Sequence, residues 1–389
     1  MHLVFVTSLV PDGSPTTGYE IANAAILDAL RRAVDKVTVL GFAWPGKAPA
    51  DKGSCVVLGE VDVRTDTAGP IQKLRWLGSA LCKRQPFASV KLTCVSEAEI
   101  SRALAAIAPY DAYVLNGIHM PAAFPGLFHD KPTIHVAHNV EHQTAAENAE
   151  AAQDMVQRLM YRREARLLET VERRVCADAS FVFALSDLDR EVLGLSPDRS
   201  ATLPLVTKGS PGSPDRNRRK IHDAVLLGTW TWQPNRLGLE WFLDKVVPEL
   251  PRGFRVAVAG RTPQDIVAAH PGVHFAGAVP DATAFLMGGA VVPLVSVAGT
   301  GVQLKTIETF ELGLPAVATT RSLRGVGYLP ANCRVADEPK AFAEALVELA
   351  ALACDADGRD FHAEQRRLLD ERIRRGLSAI AAIPVDAAA

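Results

Sequence analysis

Short runs of residues that are apolar on both faces, separated by amphipathic helical segments, occur in two series along this 389-residue chain. The first series places strands over 2–9, 36–42, 112–115, 133–137 and 180–185, with helical spacing over 18–32 and 164–175. Strands of this kind belong inside a parallel sheet covered by helices. Over 206–220 the apolar periodicity stops and turn formers and basic residues take over, as in a linker. The rhythm then restarts, with strands over 224–227, 255–259, 273–275, 290–295 and 315–318 and helices over 237–247 and 303–312. A single core stops growing at roughly 250–300 residues, so length also favours two cores. The expectation is an α/β chain of two doubly wound Rossmann-like domains facing a central cleft. Residues 1–205 form the first domain, 206–220 the linker and 221–357 the second domain. Residues 358–389 form a last helix, packing back on the first domain, and a frayed Ala-rich tail. In such sheets ligands bind at the carboxyl ends of the strands.

Several function classes fall away on composition. The net charge of -2 offers no field for nucleic acid. No stretch of about 18 apolar residues exists to span a membrane. The run His2 to Thr7 lacks a basic flank, so it is expected to be a first strand rather than a signal peptide. The six cysteines show neither paired nor zinc-finger spacing, and they are expected to be reduced core residues in a reducing compartment. His138-Asn139-Val140-Glu141-His142 matches a zinc pattern by letters. A strand enters the motif, so its two histidines do not share a helical face and no metal site is expected. A dinucleotide-binding G-x-G-x-x-G after the first strand is missing, which argues against a dehydrogenase.

The segment that carries chemistry is 293–315. A buried strand ends near Val295, a loop with Gly299 and Gly301 follows, and a helix is expected from about Val302. Glycines let backbone approach a ligand, and a helix N-terminus favours an anion such as a diphosphate. Lys305 lies in the first helical turn, and Glu308 lies three residues on, on the same face. A carboxylate there can accept hydrogen bonds from the two hydroxyls of a ribose. Loop, lysine and glutamate together describe a nucleoside diphosphate sugar. The competing reading is an ordinary strand–loop–helix with an exposed Lys305–Glu308 pair.

Gly299-x-Gly301-x-Gln303-x-Lys305-x-x-Glu308, followed by Gly313-x-Pro315-x-Val317, resembles the nucleotide-sugar motif of the large retaining family of GT-B glycosyltransferases, in particular its bacterial exopolysaccharide branch. Leu227-Gly228-Thr229-Trp230, Ala259-Gly260-x-x-Pro263 and Phe275-x-Gly277-x-Val279 resemble the neighbouring strand ends of that family. His138-Asn139-Val140-Glu141 and Leu185-Ser186-x-x-Asp189 resemble its N-terminal counterparts. The resemblance covers nearly the whole chain and is strongest over 225–320. It implies a metal-independent, retaining transfer of a sugar from a UDP- or GDP-sugar, with no cofactor. It implies donor contacts from Gly18, Gly228, Gly260, Val279, Gly299, Thr300, Gly301, Val302, Gln303, Lys305 and Glu308. It also implies catalytic roles for Lys305 and for His119, which ends a strand as the family's cleft histidine does. Two departures stand out. Gly301 occupies the place of a first glutamate found in many members. The family's diphosphate-binding arginine is missing after Gly228, where Thr229 stands, so Arg236 and Arg261 are the candidates to replace it.

Lys73, Arg75, Trp76, Lys83 and Arg84 surround Leu74, Leu77 and Leu81, and four arginines over 158–166 surround Leu159, Met160 and Tyr161. Basic residues with Trp and Leu suit an interfacial helix on anionic lipid. A solvated helix face is the plainer reading. The expected partners are thus a nucleotide-sugar donor, a glycan or lipid-linked acceptor, and an anionic membrane surface. The expected location is the cytoplasm, at the cytoplasmic face of a bacterial inner membrane. The alternatives are a nucleotide-sugar epimerase of the same fold and a non-catalytic nucleotide-sugar-binding protein.

Overall fold

A computed structural model of the chain describes residues 1–13, 17–65, 68–152, 154–207, 218–352 and 354–381. Two compact units emerge, residues 1–203 with 369–389, and residues 204–368. Thr16, the middle of the linker (208–217) and the end of the tail (382–389) lie outside the described residues.

Unit 1 runs β1 (His2–Leu9), α1 (Gly18–Ala33), β2 (Lys36–Ala43), β3 (Cys55–Glu60), α2 (Pro70–Lys83), α3 (Phe87–Val90), α4 (Glu97–Ile107), β4 (Ala112–Asn116), α5 (His119–Ala123), β5 (Thr133–Ala137), α6 (Glu141–Ala151), α7 (Met155–Asp178), β6 (Phe181–Ala184), α8 (Asp187–Val192) and β7 (Ser200–Thr202). Its seven parallel strands lie in the order β3-β2-β1-β4-β5-β6-β7. The order reverses between β1 and β4, which opens a crevice at their carboxyl ends. The central strands are buried on both faces, from Leu3 to Val6 and from Ala112 to Asn116. Helices cover both sides, and Tyr113, Phe42, Phe124 and Ile100 fill one layer of the core.

Unit 2 repeats the plan with β8 (His222–Leu227), α9 (Gln233–Trp241), β9 (Val256–Ala259), α10 (Gln264–Ala269), β10 (His274–Gly277), α11 (Ala282–Met287), β11 (Gly289–Leu294), α12 (Leu304–Glu311), β12 (Ala316–Ala318), β13 (Cys333–Val335) and α13 (Pro339–Leu352). Its six strands lie in the order β10-β9-β8-β11-β12-β13, again parallel, with the reversal between β8 and β11. Trp230, Phe242 and Phe342 anchor its core. The expected helix over 237–247 is α9, which continues as one wider π turn over Phe242–Val246.

The last helix, α14 (Gly358–Ala381), is shared between the units. Its later turns hold unit 1 through Asp370, which bonds the Arg32 guanidinium, and through Gly376, against which the Phe183 ring packs. Its earlier turns belong to unit 2, where the buried Gln365 amide donates to the carbonyls of Leu205 and Gly325. The ends of the expected linker are also tied down. Thr207 donates its backbone N–H to Glu311 at 2.9 Å, and the buried Arg218 pairs with Asp355 at 2.7 Å. The cysteine expectation needs correcting. All six are free, but Cys82 and Cys94 are exposed and only Cys333 is buried.

Candidate functional site

Two sites stand at the two strand-order reversals, one in each unit. In unit 2 the loops after β8 and β11 flank the reversal. The loop after β11 turns through Gly299 (φ 86°) and Gly301 (φ 75°), left-handed conformations that a side chain resists. A Cβ at 299 would also press on the Pro234 ring, 3.0 Å away. Part of the glycine requirement is therefore internal packing rather than ligand contact. The same is true of Gly260, whose Cβ would overlap the Gly228 carbonyl.

The helix begins later than the sequence suggested. Gln303 is the N-cap of α12 and Leu304 its first residue, so Val302 belongs to the loop. The Gln303 N–H is already bonded to the Arg324 carbonyl at 3.2 Å. Lys305 and Glu308 both keep partial exposure. No ion pair joins them among the described residues, which removes the exposed-pair reading. Instead the Lys305 ammonium lies 4.9 Å from the centre of the Trp230 ring and 3.3 Å from Asn235 Oδ1. Loss of water lowers its pKa to about 8. The Glu308 carboxylate has no hydrogen-bond partner among the described residues, so its lone pairs remain available. Thr300 and Gly301 lie in the same loop, and Val279 follows the edge strand β10.

The two arginines proposed for a diphosphate stand differently. Arg236 is bound to Glu240 at 2.8 Å and to Asp265, so its guanidinium is already committed. Arg261 is exposed, next to Gly260 at the end of β9. Sequence reasoning missed a third, Arg324. It is buried, and its guanidinium donates to the Gly299 carbonyl and, at 3.3 Å each, to the Ala298 carbonyl and Ser296 Oγ. Around it, Ser322 accepts from the Ser296 N–H at 2.8 Å and donates to the Leu294 carbonyl at 2.6 Å. Thr306 donates to the Ser322 carbonyl at 2.8 Å. The segment after β12 thus shapes the glycine loop. Its only sequence signal is the run Thr319-Thr320-Arg321-Ser322-Leu323-Arg324 beyond a strand end.

In unit 1 a cavity of about 370 Å³ opens at the β1–β4 reversal. His119, at the start of α5, lines it with Tyr19, Trp44, His138, Asn139 and Glu141. The Nδ1 of His119 is buried without a hydrogen-bond partner among the described residues. Burial lowers the His119 pKa, opposed by Glu141 and reinforced by Lys91. His138 is held by Asn116, whose Oδ1 accepts from Nε2 at 2.8 Å. The Asn116 amide in turn donates to Asn23, which fixes its orientation. Burial, then the neighbouring His135 and His119, push His138 down to about 3, so it is neutral at physiological pH. Tyr19 packs against His138 with ring centres 4.8 Å apart and planes tilted by 43°, and it shares a hydrogen bond with Thr7 at 3.1 Å.

Gly18 opens α1, behind a capping box in which Thr17 and Glu20 bond each other's backbone. Glu20 also accepts from the Trp44 indole at 3.1 Å, which fixes that ring beside the cavity. In the His138–His142 run, His138 turns to Asn116 while His142 Nδ1 bonds Glu172. No group of three His, Cys, Asp or Glu is placed to hold a metal among the described residues.

The basic helix is α2. Pro70 occupies its first turn, and Arg84 ends it in a left-handed conformation. Ile71, Leu74 and Leu81 are 71%, 67% and 54% exposed, a larger apolar display than a solvated helix needs. Trp76 corrects the expectation. Its ring packs edge-on against Phe87 with the Lys91 ammonium 5.1 Å from its centre, so it is not a free interfacial anchor. No helix among the described residues is long and apolar enough to cross a membrane.

Comparison with known proteins agrees with this geometry. Residues 222–351 match the family described as Glycosyl transferases group 1. No curated protein matches the chain by sequence. Among solved structures, a sucrose-phosphate synthase from Thermosynechococcus elongatus aligns with a TM-score of 0.63 at 15% identity, over 97% of this chain and 96% of its own. WaaG, a glycosyltransferase involved in lipopolysaccharide biosynthesis, aligns at 0.55 and 16% identity, over 98% and 99%. The Anabaena protein HepE in complex with UDP-glucose aligns at 0.54 and 13% identity, over 98% of each chain. The chain therefore has the GT-B fold, and its residues 222–351 are similar to the Glycosyl transferases group 1 family.

Proposed function

We propose that this protein transfers a sugar from a nucleoside diphosphate sugar to a glycan acceptor, without a metal and with retention of configuration. The observation that carries the reading is the loop and helix at the unit 2 reversal. A glycine loop, a helix start, the Lys305 ammonium and an unpartnered Glu308 carboxylate follow one another within ten residues. Backbone N–H groups, helix dipole and ammonium stabilise the departing diphosphate as the bond from the sugar to its phosphate oxygen breaks. Glu308 accepts from the ribose hydroxyls, and Arg261, which is exposed and not committed to an ion pair as Arg236 is, reaches the phosphates. The bound UDP-glucose of HepE supports a donor of this class, a UDP- or GDP-sugar. His119 and the unit 1 cavity serve the sugar and the acceptor hydroxyl.

The acceptor is lipid-linked, and α2 rests on anionic lipid at the cytoplasmic face of a bacterial inner membrane. Exposed Leu74 and Leu81 beside Lys73, Arg75, Lys83 and Arg84 support that reading. A thermal-shift panel of nucleotide-sugars tests the proposal. A ligand at about 100 times its Kd adds about 2.7 kcal/mol of stability, a readable shift. The expected result is stabilisation by one UDP- or GDP-sugar and sugar transfer once acceptor is added. Release of free nucleotide and a modified sugar with no acceptor would make the protein an epimerase. Binding without turnover in the presence of membranes would make it a sensor.

A further inference from the structure

Beside the unit 1 cavity lies a second, more open groove of about 570 Å³, formed between α2 and the segment 60–64. Gln72, Arg75, Trp76 and Ser79 of α2 line it. Their spacing of three, four and seven residues makes them one stripe of the helix. The exposed apolar residues Ile71, Leu74 and Leu81 form the neighbouring stripe. One helix therefore presents an apolar edge and, more than a third of a turn away, a polar wall.

The groove continues toward the cavity of His119. The Lys91 side chain lines both. Val61 faces the groove and Val63 the cavity, two residues apart on one extended segment. Arg64 lines the groove and lies 5.3 Å from the centre of the Trp44 ring, which lines the cavity. Lys91 itself is spent on the wall, donating to the Val63 carbonyl and to Thr65 Oγ1 at 2.7 Å each.

The groups offered are those that hold sugars. The half-buried Trp76 ring contributes apolar wall on the side that Lys91 and Phe87 leave open, while Gln72 and Arg75 give planar amide and guanidinium donors that have no side-chain partner among the described residues. No strong charge of either sign is left over in the groove, because Lys91 is turned into the wall and Arg75 is offset by Glu60. Glu60 and Asp62 line the groove, and Asp62 already grips Arg64 through both oxygens, at 2.9 and 2.6 Å. We propose that this groove is an extended acceptor subsite that binds a neutral oligosaccharide. The acceptor's terminal sugar enters the His119 cavity and its preceding sugars lie along α2. The acceptor is then a glycan of two or more sugars whose lipid end leaves over the apolar stripe. This inference rests on the glycosyl-transfer reading for the direction of the chain, and on the groove alone for binding.

The test uses the full chain and an array of defined mono-, di-, tri- and tetrasaccharides on short alkyl linkers, with and without UDP or GDP. The best soluble glycan and its terminal monosaccharide are then titrated into the parent and the Gln72→Ala/Arg75→Ala double variant. Both residues are exposed, so the fold is expected to persist, which a melting curve checks. The expected result is preference for two or more sugars and a roughly tenfold weaker oligosaccharide affinity in the variant, with the monosaccharide unchanged. Equal oligosaccharide affinity in the two proteins would overturn the proposal. So would a preference for monosaccharides, or no glycan bound at all. A variant that loses only anionic vesicles would make the groove a lipid headgroup site, and the proposal would fall. Failure of the glycosyl-transfer reading would look different, since no nucleotide-sugar would then stabilise the protein whatever glycans it binds.

Discussion

The two strand-order reversals carry different kinds of site. In unit 2 the candidate donor site is local, running from Gly299 to Glu308 in one loop and one helix turn, with Arg324 holding the loop from beneath. In unit 1 the cavity draws on the ends of β1, β4 and β5, the starts of α1 and α5, and side chains as far apart as Ser8 and Glu141. A diphosphate is bound chiefly by backbone N–H groups and a helix dipole, which a short segment supplies. Hydroxyls and apolar sugar faces need side chains from several directions, which only many segments together supply. A local site should fail through single residues, and a dispersed one should weaken in increments.

The largest effect is expected outside both sites, on α2, where the increments from four basic residues add. Replacing Lys73, Arg75, Lys83 and Arg84 with Ser removes about 1 kcal/mol of attraction to anionic lipid per residue, or roughly a thousandfold in all. Sedimentation with anionic vesicles at low salt measures it, and unchanged binding would leave α2 as a solvated face. Next comes Glu308→Gln, which tests the local site through one residue. Hydrogen bonds to a charged group contribute about 1.5–3 kcal/mol, so donor affinity should fall roughly 10- to 150-fold without loss of fold. A deoxyribose donor should suffer less from the same change. A variant that binds the ribose donor as tightly as the parent would displace the donor from this loop.

Lys305 gives a smaller, pH-dependent effect. Its folded pKa of about 8 lies below the ordinary lysine value, so burial penalises the charged form. The unfolded chain holds more protons between about pH 8 and the ordinary value. Stability from this group therefore rises with pH across that window. Donor affinity should run the opposite way if the ammonium serves the diphosphate, as proposed. It should fall by up to tenfold per unit as pH rises above about 8, and that slope should vanish in Lys305→Gln. Calorimetry in buffers of different ionisation enthalpy would detect the accompanying proton uptake. A flat profile in the parent would remove Lys305 from phosphate contact. The smallest expected effect is none at all. Activity should survive a strong chelator, and loss restored by zinc or manganese would reopen the role of His138 and His142.

Much of the fold was legible in the sequence, and the misses share a cause. The buried strands β1 and β5 matched their expected spans, and the other interior strands shifted at their ends by a residue or two. The strands overlooked, β3, β7 and β13, all lie at sheet edges. An edge strand is covered less completely, so its residues need not be apolar on both faces. Cys55–Glu60 is only partly buried, and two of the three residues in β13 are exposed. The late start of α12 has a tertiary cause as well, because the Gln303 N–H is drawn to the Arg324 carbonyl.

By itself, the sequence determined the two parallel sheets and the glycine loop with Lys305 and Glu308 behind it. These depend on periodicity and on spacings of a few residues, which the backbone geometry of strands and helix starts turns directly into structure. Only the tertiary structure decided that Arg236 is committed while Arg324 grips the loop, that Trp76 packs inward, and that Lys305 rests on Trp230. It alone also set His119 and His138 in one cavity. Each of those outcomes joins separate elements, as Asn116 joins Asn23 across 93 positions. A side chain's partner at such range is chosen by how whole elements pack, and no local pattern of residues records that choice.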